Sequence, residues 1–180
     1  RHSRPRPVRL PTFAAVHLAT ICALAGPGQL AAKSDATVVY LVRHDESAED
    51  GTSDPPISDA GQARATLLAE MLRDAGITHV HSTDYKRTRS TATPAAHEVG
   101  LDLELYDPRD LQGFAAELRS TPGRHLVLGH SNTTPGLVEA LGGDPGEPID
   151  EMEYDRLYVV TLTPDGASTV LIRFGERFEG

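Results

Sequence analysis

Thr37-Val38-Val39-Tyr40-Leu41-Val42-Arg43-His44 is the stretch that decides the fold. Its first six side chains are β-branched or apolar with no charged interruption. A strand buried on both faces of a parallel sheet reads this way, because helices packed on either side leave neither face to water. The run stops at Arg43-His44, which puts a guanidinium and an imidazole at the strand's carboxyl end. Reactive groups of α/β sheets gather there, where the connecting loops converge.

Reading downstream, a polar, proline-containing loop (Glu49 to Pro56) leads to Ser58, placed to cap a helix with the apolar stripe Leu67, Leu68, Met71, Leu72 and Ala75. Gly76 stops that helix. Ile77 to His81 predicts a second strand, about Lys86 to Glu98 a second helix, and Leu101 to Tyr106 a third strand. Asp107 is placed to cap a further helix with Pro108 at its first position and Leu111, Phe114, Ala115 and Leu118 on one face. That helix ends near Gly123. His125 to Gly129 reads as another buried strand, Thr134-Pro135 opens a helix through Leu141, and Tyr158 to Leu162 and Thr169 to Arg173 read as closing strands. Strands alternating with helices at this spacing predict an α/β fold, a three-layer sandwich around a mostly parallel central sheet. Residues 34–180 form one domain in this reading, with no internal repeat.

Upstream, basic residues precede the apolar run Phe13 to Ala25, and Gly26-Pro27-Gly28 follows, the three-part layout of a secretory signal with Ala23-Leu24-Ala25 as cleavage site. Residues 1–33 are therefore expected to be an export segment, and the protein periplasmic or extracellular. The run is shorter than the span of about 20 apolar residues a membrane helix needs, so no stable insertion is expected. Cys22 is the only cysteine, which rules out an intramolecular disulfide.

The formal net charge is −9, and the imbalance is steeper in the body of the chain: from Ser34 onward 12 basic residues face 26 acidic ones, a balance of −14. Such a surface repels nucleic acid and anionic lipid. A phosphate-bearing ligand must therefore be drawn in by a local group of cations. Three predicted strand ends supply one: Arg43-His44, then Ser82 with Arg87 a helix turn later, then His130-Ser131-Asn132. Guanidinium forks match phosphate oxygens and stay charged. The helices starting near Lys86 and Pro135 are expected to turn free N–H groups to the same place.

Val42-Arg43-His44-Asp45-Glu46-Ser47, the block from Ser82 to Ala92, and Leu128-Gly129-His130-Ser131-Asn132-Thr133 together resemble the three signature blocks of the histidine phosphatase superfamily, over about Thr37 to Arg173. The resemblance implies a phosphoglycerate mutase-like fold and a phosphatase. In it His44 attacks phosphorus to give a phosphohistidine, while Arg43, Arg87 and His130 hold the transferring oxygens and water then releases phosphate, with no metal or other cofactor. A loose phosphoryl transition state asks for just such positioning and positive charge. The expected partner is a phosphorylated small molecule.

Two positions depart from the family pattern. Asp45 stands where a small residue, commonly Gly or Ala, usually follows the motif histidine, and its side chain either points away from the phosphate or weakens its binding. No block matches the glutamate that protonates the leaving oxygen in many relatives. Asp107 is the candidate acid, with Asp110 beside it and Glu46 more remote, although capping alone also explains both aspartates. His79 and His81 face the same way on their strand, but no third ligand with suitable spacing accompanies them, so no metal site is expected. The acidic stretch Asp144 to Asp155 reads as a solvated loop that could overhang the pocket. Other readings of the chain are a phosphomutase, a phosphohistidine protein phosphatase, or an inactive module that binds phosphate or a phosphoprotein.

Overall fold

The first strand, β1 (Thr37–Arg43), lies inside the sheet, with β4 (Arg124–Gly129) parallel on one side and β5 (Arg156–Thr163) antiparallel on the other. The computed structural model describes residues 36–180; the expected export segment, residues 1–33, lies outside them. Beyond β4 come β2 (His79–Ser82) and β3 (Leu103–Leu105), both parallel, and β6 (Gly166–Arg173) closes the opposite edge. The order is β3-β2-β4-β1-β5-β6. The closing strands are thus longer than their sequence pattern suggests, and they form the antiparallel part of the sheet.

Alternation along β1 separates two cores. Val42 packs with Leu126-level neighbours on one face, against Leu68, Ala69 and Leu72 of α1 (Asp59–Leu72) and Ala92, Ala95 and Ala96 of α2 (Lys86–Val99). Val39 and Leu41 face Phe114, Ala115 and Leu118 of α3 (Leu111–Ser120) and Leu137 and Val138 of α4 (Thr133–Ala140). The result is the expected three-layer sandwich, and it accounts for the uninterrupted apolar run. Each fully buried leucine, such as Leu126 or Leu68, contributes about 1.5–3 kcal/mol.

Ser58 caps α1 as expected, its hydroxyl accepting from Gly61 N at 3.2 Å. A side chain at Gly61 would meet the backbone carbonyl of Glu46, so the glycine lets the loop after β1 lie against the helix. Met71 is a correction: it lies 42% exposed, on the outer margin of the stripe. A second correction concerns α3. Its cap is Asp110, whose carboxylate accepts from Gly113 N at 2.9 Å, so Asp107 and Pro108 precede the helix instead of opening it. Among the described residues no helix is long and apolar enough to cross a membrane.

Candidate active site

At the carboxyl ends of β1, β2 and β4 lies a cleft of about 400 Å³, lined by His44, Tyr85, Arg87, Pro108, Arg109, His130, Ser131, Asn132 and Thr133. The three sequence blocks meet there because β1, β2 and β4 are neighbours in the sheet and end at the same level. His44 N donates to Gly129 O at 2.9 Å, which ties the first and third blocks together.

The His44 ring is 7% exposed. Its Nδ1 lies 2.8 Å from the carbonyl oxygen of Asp45, so Nδ1 carries the proton and donates it. The other nitrogen, Nε2, keeps its lone pair with no hydrogen-bond partner among the described residues, on a residue that lines the cleft. Burial lowers the pKa to about 3, against the hydrogen bond to Asp45, and the charges of Arg43 and Arg87 push the same way. A neutral imidazole with one free lone pair is a competent nucleophile.

His130 stands edge-on to His44, ring centroids 5.4 Å apart, and edge-on to Tyr85 at 5.1 Å. Its Nε2 is 3.0 Å from Thr83 Oγ1, which in turn lies 2.8 Å from Thr88 Oγ1. Burial, then Arg87 and Arg43, lowers its pKa to about 4. Arg87 lies over the Tyr85 ring, 4.6 Å from the centroid.

Arg43 sits behind the cleft, held by the loop before β5. Its Nη1 donates to Asp150 O at 2.9 Å and Glu153 O at 3.0 Å, and the Tyr154 ring lies 4.2 Å beneath it. The acidic stretch is therefore only partly the solvated loop of the sequence reading. Glu153 and Asp155 are 3% and 1% exposed, bound by Arg156 and Arg173. Hydrogen bonds from both arginines overcome the cost of burial and bring Glu153 to about 2.

Three expectations need correction. Asp107 is exposed and clasped by Arg109, Nη2 to Oδ2 at 2.8 Å, and those bonds lower its pKa to about 2. Both the exposure and the lowered pKa count against Asp107 as the proton donor. Glu46, the remoter choice, is engaged by Arg64 at 2.8 Å. The N-terminus of α2 is only partly free to meet an anion: Asp54, from the loop after β1, accepts from Lys86 N at 3.0 Å and stands 3.8 Å from Arg87.

Asp45 turns its carboxyl into the protein. It is fully buried and among the described residues neither side-chain oxygen has a hydrogen-bond partner, while its N–H donates to Thr91 Oγ1 at 3.0 Å. Burial, and Glu46 beside it, raise the pKa to about 8 against the opposing pull of Arg64. The carboxyl is thus neutral at pH 7, and the expected negative charge does not reach the cleft. Tyr85, Arg109 and Asp54 were not singled out by the sequence reading, though Tyr85 and Arg109 follow strands that end at this edge.

The family model of the histidine phosphatase superfamily (branch 1) matches residues 39–109. A probable phosphoglycerate mutase GpmB of Escherichia fergusonii is 44% identical over 154 residues, covering 76% of this chain and 69% of that protein. Its namesake from Salmonella paratyphi A is 30% identical over the same coverage. Among solved structures, the protein histidine phosphatase SixA complexed with tungstate superposes with a TM-score of 0.58 at 22% identity, covering 76% of this chain and 96% of that one. A mycobacterial glucosyl-3-phosphoglycerate phosphatase gives 0.60 at 14% identity, with 77% and 98% covered. With its three motif blocks brought to one sheet edge and these relatives beside it, the chain belongs to the histidine phosphatase superfamily.

Proposed function

We propose that the protein is a metal-independent phosphatase that hydrolyses phosphomonoesters through a phosphohistidine on His44. One observation carries the reading: His44 donates from Nδ1 to a backbone carbonyl and keeps a free Nε2 in a cleft it shares with Arg87 and His130. The Nε2 lone pair forms the bond to phosphorus as the bond to the leaving oxygen breaks, and that oxygen takes the electron pair. Arg87, Arg43 and His130 stabilise the equatorial oxygens. Water then attacks phosphorus, releasing orthophosphate and restoring the imidazole.

Among the described residues that line the cleft there is no carboxylic acid, and Asp107 is ionised. On this reading the leaving oxygen departs with little help from a carboxylic acid, which favours weakly basic leaving groups. Aryl phosphates are expected to turn over faster than alkyl ones.

The test is hydrolysis of p-nitrophenyl phosphate together with trapping of an acid-labile phosphoenzyme. His44→Ala is expected to abolish both, a loss of about 10⁴-fold or more. Absence of turnover and of phosphoenzyme in the native protein would mean a binding module and not an enzyme. The 44% identity to a probable phosphoglycerate mutase favours a second reading, in which the phosphohistidine returns its group to the substrate. Among the described residues no long insertion shields that intermediate from water, so 3-phosphoglycerate is expected to give phosphate slowly or not at all. Efficient isomerisation without phosphate release would favour the mutase.

A further inference from the structure

Arg43 is an unusual phosphate ligand in that most of its guanidinium is already engaged. Nη1 is spent on the carbonyls of Asp150 and Glu153, and Nε is buried with no acceptor. Nη2 makes no hydrogen bond among the described residues, so it is the nitrogen left for a substrate oxygen. Its direction is set by where the two carbonyls stand. Those carbonyls belong to one short segment, Asp150 to Asp155, which has no helix or strand of its own to hold it.

A largely buried group of four charges holds it instead. Glu153 accepts from Arg156 Nε at 2.6 Å and Nη2 at 2.8 Å, and from Arg173 Nη1. Its second oxygen also accepts from Asp150 N at 3.0 Å, closing the turn whose carbonyls grip Arg43. Asp155 accepts from Arg173 at 2.6 Å. The two arginines lie on β5 and β6, so the turn is bolted to the antiparallel edge of the sheet. Two cations and two anions balance. Such a network adds little to stability compared with apolar packing of the same volume, while it fixes the geometry of the turn it holds.

We propose that Glu153 is a positioning residue for phosphoryl binding: it fixes the Asp150–Glu153 turn, and through that turn's carbonyls it aims Arg43 at the substrate. The inference rests on the reading of Arg43 as a phosphate ligand. Glu153 itself never touches the substrate.

The full chain tests it, with inorganic phosphate as probe. Its inhibition constant against p-nitrophenyl phosphate is a ratio that a partly inactive preparation does not move. Glu153→Gln removes the charge and keeps the shape, and it is expected to raise the phosphate Ki about fivefold and lower kcat by a similar factor. Placed on an Arg43→Ala background, the same substitution is expected to leave Ki where Arg43→Ala alone puts it, since it has no guanidinium left to aim. Glu153→Asp should recover part of the loss.

Should Glu153→Gln not fold, Arg173→Gln reaches the network from its half-exposed end and is expected to raise Ki about twofold, again only while Arg43 is present. An unchanged Ki in either folded variant, or an equal rise with and without Arg43, overturns the proposal. A native protein that hydrolyses nothing would instead overturn the phosphatase reading on which it rests.

Discussion

Two groups of histidines sit in the same sheet and meet opposite fates. His44 and His130 stand at the strand ends, edge-on across a cleft. His79, His81 and His125 lie further back on β2 and β4 as a stack, with His79 and His125 centroids 4.5 Å apart and His81 Nε2 2.9 Å from His125 Nδ1. In the stack, His125 Nε2 donates to Thr121 O at 3.0 Å, so its Nδ1 must accept, and His81 Nε2 is the donor. The imidazoles satisfy each other, and Phe114 closes over His81. In the cleft, a backbone carbonyl takes one nitrogen of His44 and, among the described residues, nothing takes the other. The difference teaches that burial and a lowered pKa are common to His44 and His81; a nucleophile requires in addition one nitrogen with no partner, opening on space.

The widest separation between the two groups should come from deleting one member of each. His130→Ala is expected to lower kcat/KM for p-nitrophenyl phosphate about 10²–10³-fold with the melting temperature little changed, since it removes a group facing the transferring oxygens. His81→Phe is expected to do the reverse: it leaves His125 Nδ1 without a donor, costing about 1–3 kcal/mol of stability, and leaves turnover within about twofold of native. Steady-state kinetics and thermal melts on both variants check it. A stability loss in His130→Ala as large as that in His81→Phe would erase the distinction.

pH sharpens the same comparison. Burial, with His125 and His79 adding, lowers the His81 pKa to about 3. Its folded value lies below the ordinary 6.5, so the unfolded chain binds the extra proton first and stability falls as pH drops from about 6.5 toward 3. Asp45 acts with the opposite sign. Its folded pKa of about 8 lies above the ordinary 3.8, so its contribution is intact below that value and is lost as pH rises toward 8. Melting temperatures across pH 4–9 are expected to fall on both flanks. His81→Phe should flatten the acid flank and Asp45→Asn the alkaline one, each relative to the native curve. A native alkaline flank that survives Asp45→Asn would show that the carboxyl is already ionised.

How far the sequence announces this site follows from the range of each interaction. The strand ends at Arg43-His44, Ser82 and Gly129-His130 are legible, because a buried strand and its terminus are patterns of a few adjacent residues. So is the layering, since β1's unbroken apolar run demands helices on both faces. The side of β5 and β6 is legible as strands but not as antiparallel ones. What escapes are contacts between loops. Asp107 before Pro108 has the local appearance of a cap, yet Asp110 lies three residues before Gly113 and takes that role, leaving Asp107 to Arg109. Glu153 and Asp155 look solvated until β5 and β6 bring Arg156 and Arg173 to them. Asp45 leaves two readings open in sequence, a side chain turned away or a charge that weakens phosphate binding, and only its burial in the fold decides for the first.

Asp54 is the subtlest of these loop contacts, and its effect should be the smallest. Tyr85, the residue before α2, makes no capping bond with its side chain, and Asp54 supplies one from 32 residues upstream in the chain. The same carboxylate stands 3.8 Å from Arg87 and draws on the charge that a phosphate would use. Its side chain is 36% exposed, so solvent screens much of that pull. Asp54→Asn keeps an oxygen that can accept from Lys86 N and removes the negative charge. It is therefore expected to lower the phosphate Ki by about twofold at low salt, with the gain shrinking at 0.5 M salt as the Debye length contracts to roughly 4 Å. Asp54→Ala loses the cap as well, at about 1 kcal/mol of stability. If Asp54→Asn instead raises Ki, the carboxylate serves to hold Arg87 in place more than to compete for it, and the two arginines of the site would share one device: each aimed by a loop, Arg87 by a carboxylate and Arg43 by carbonyls.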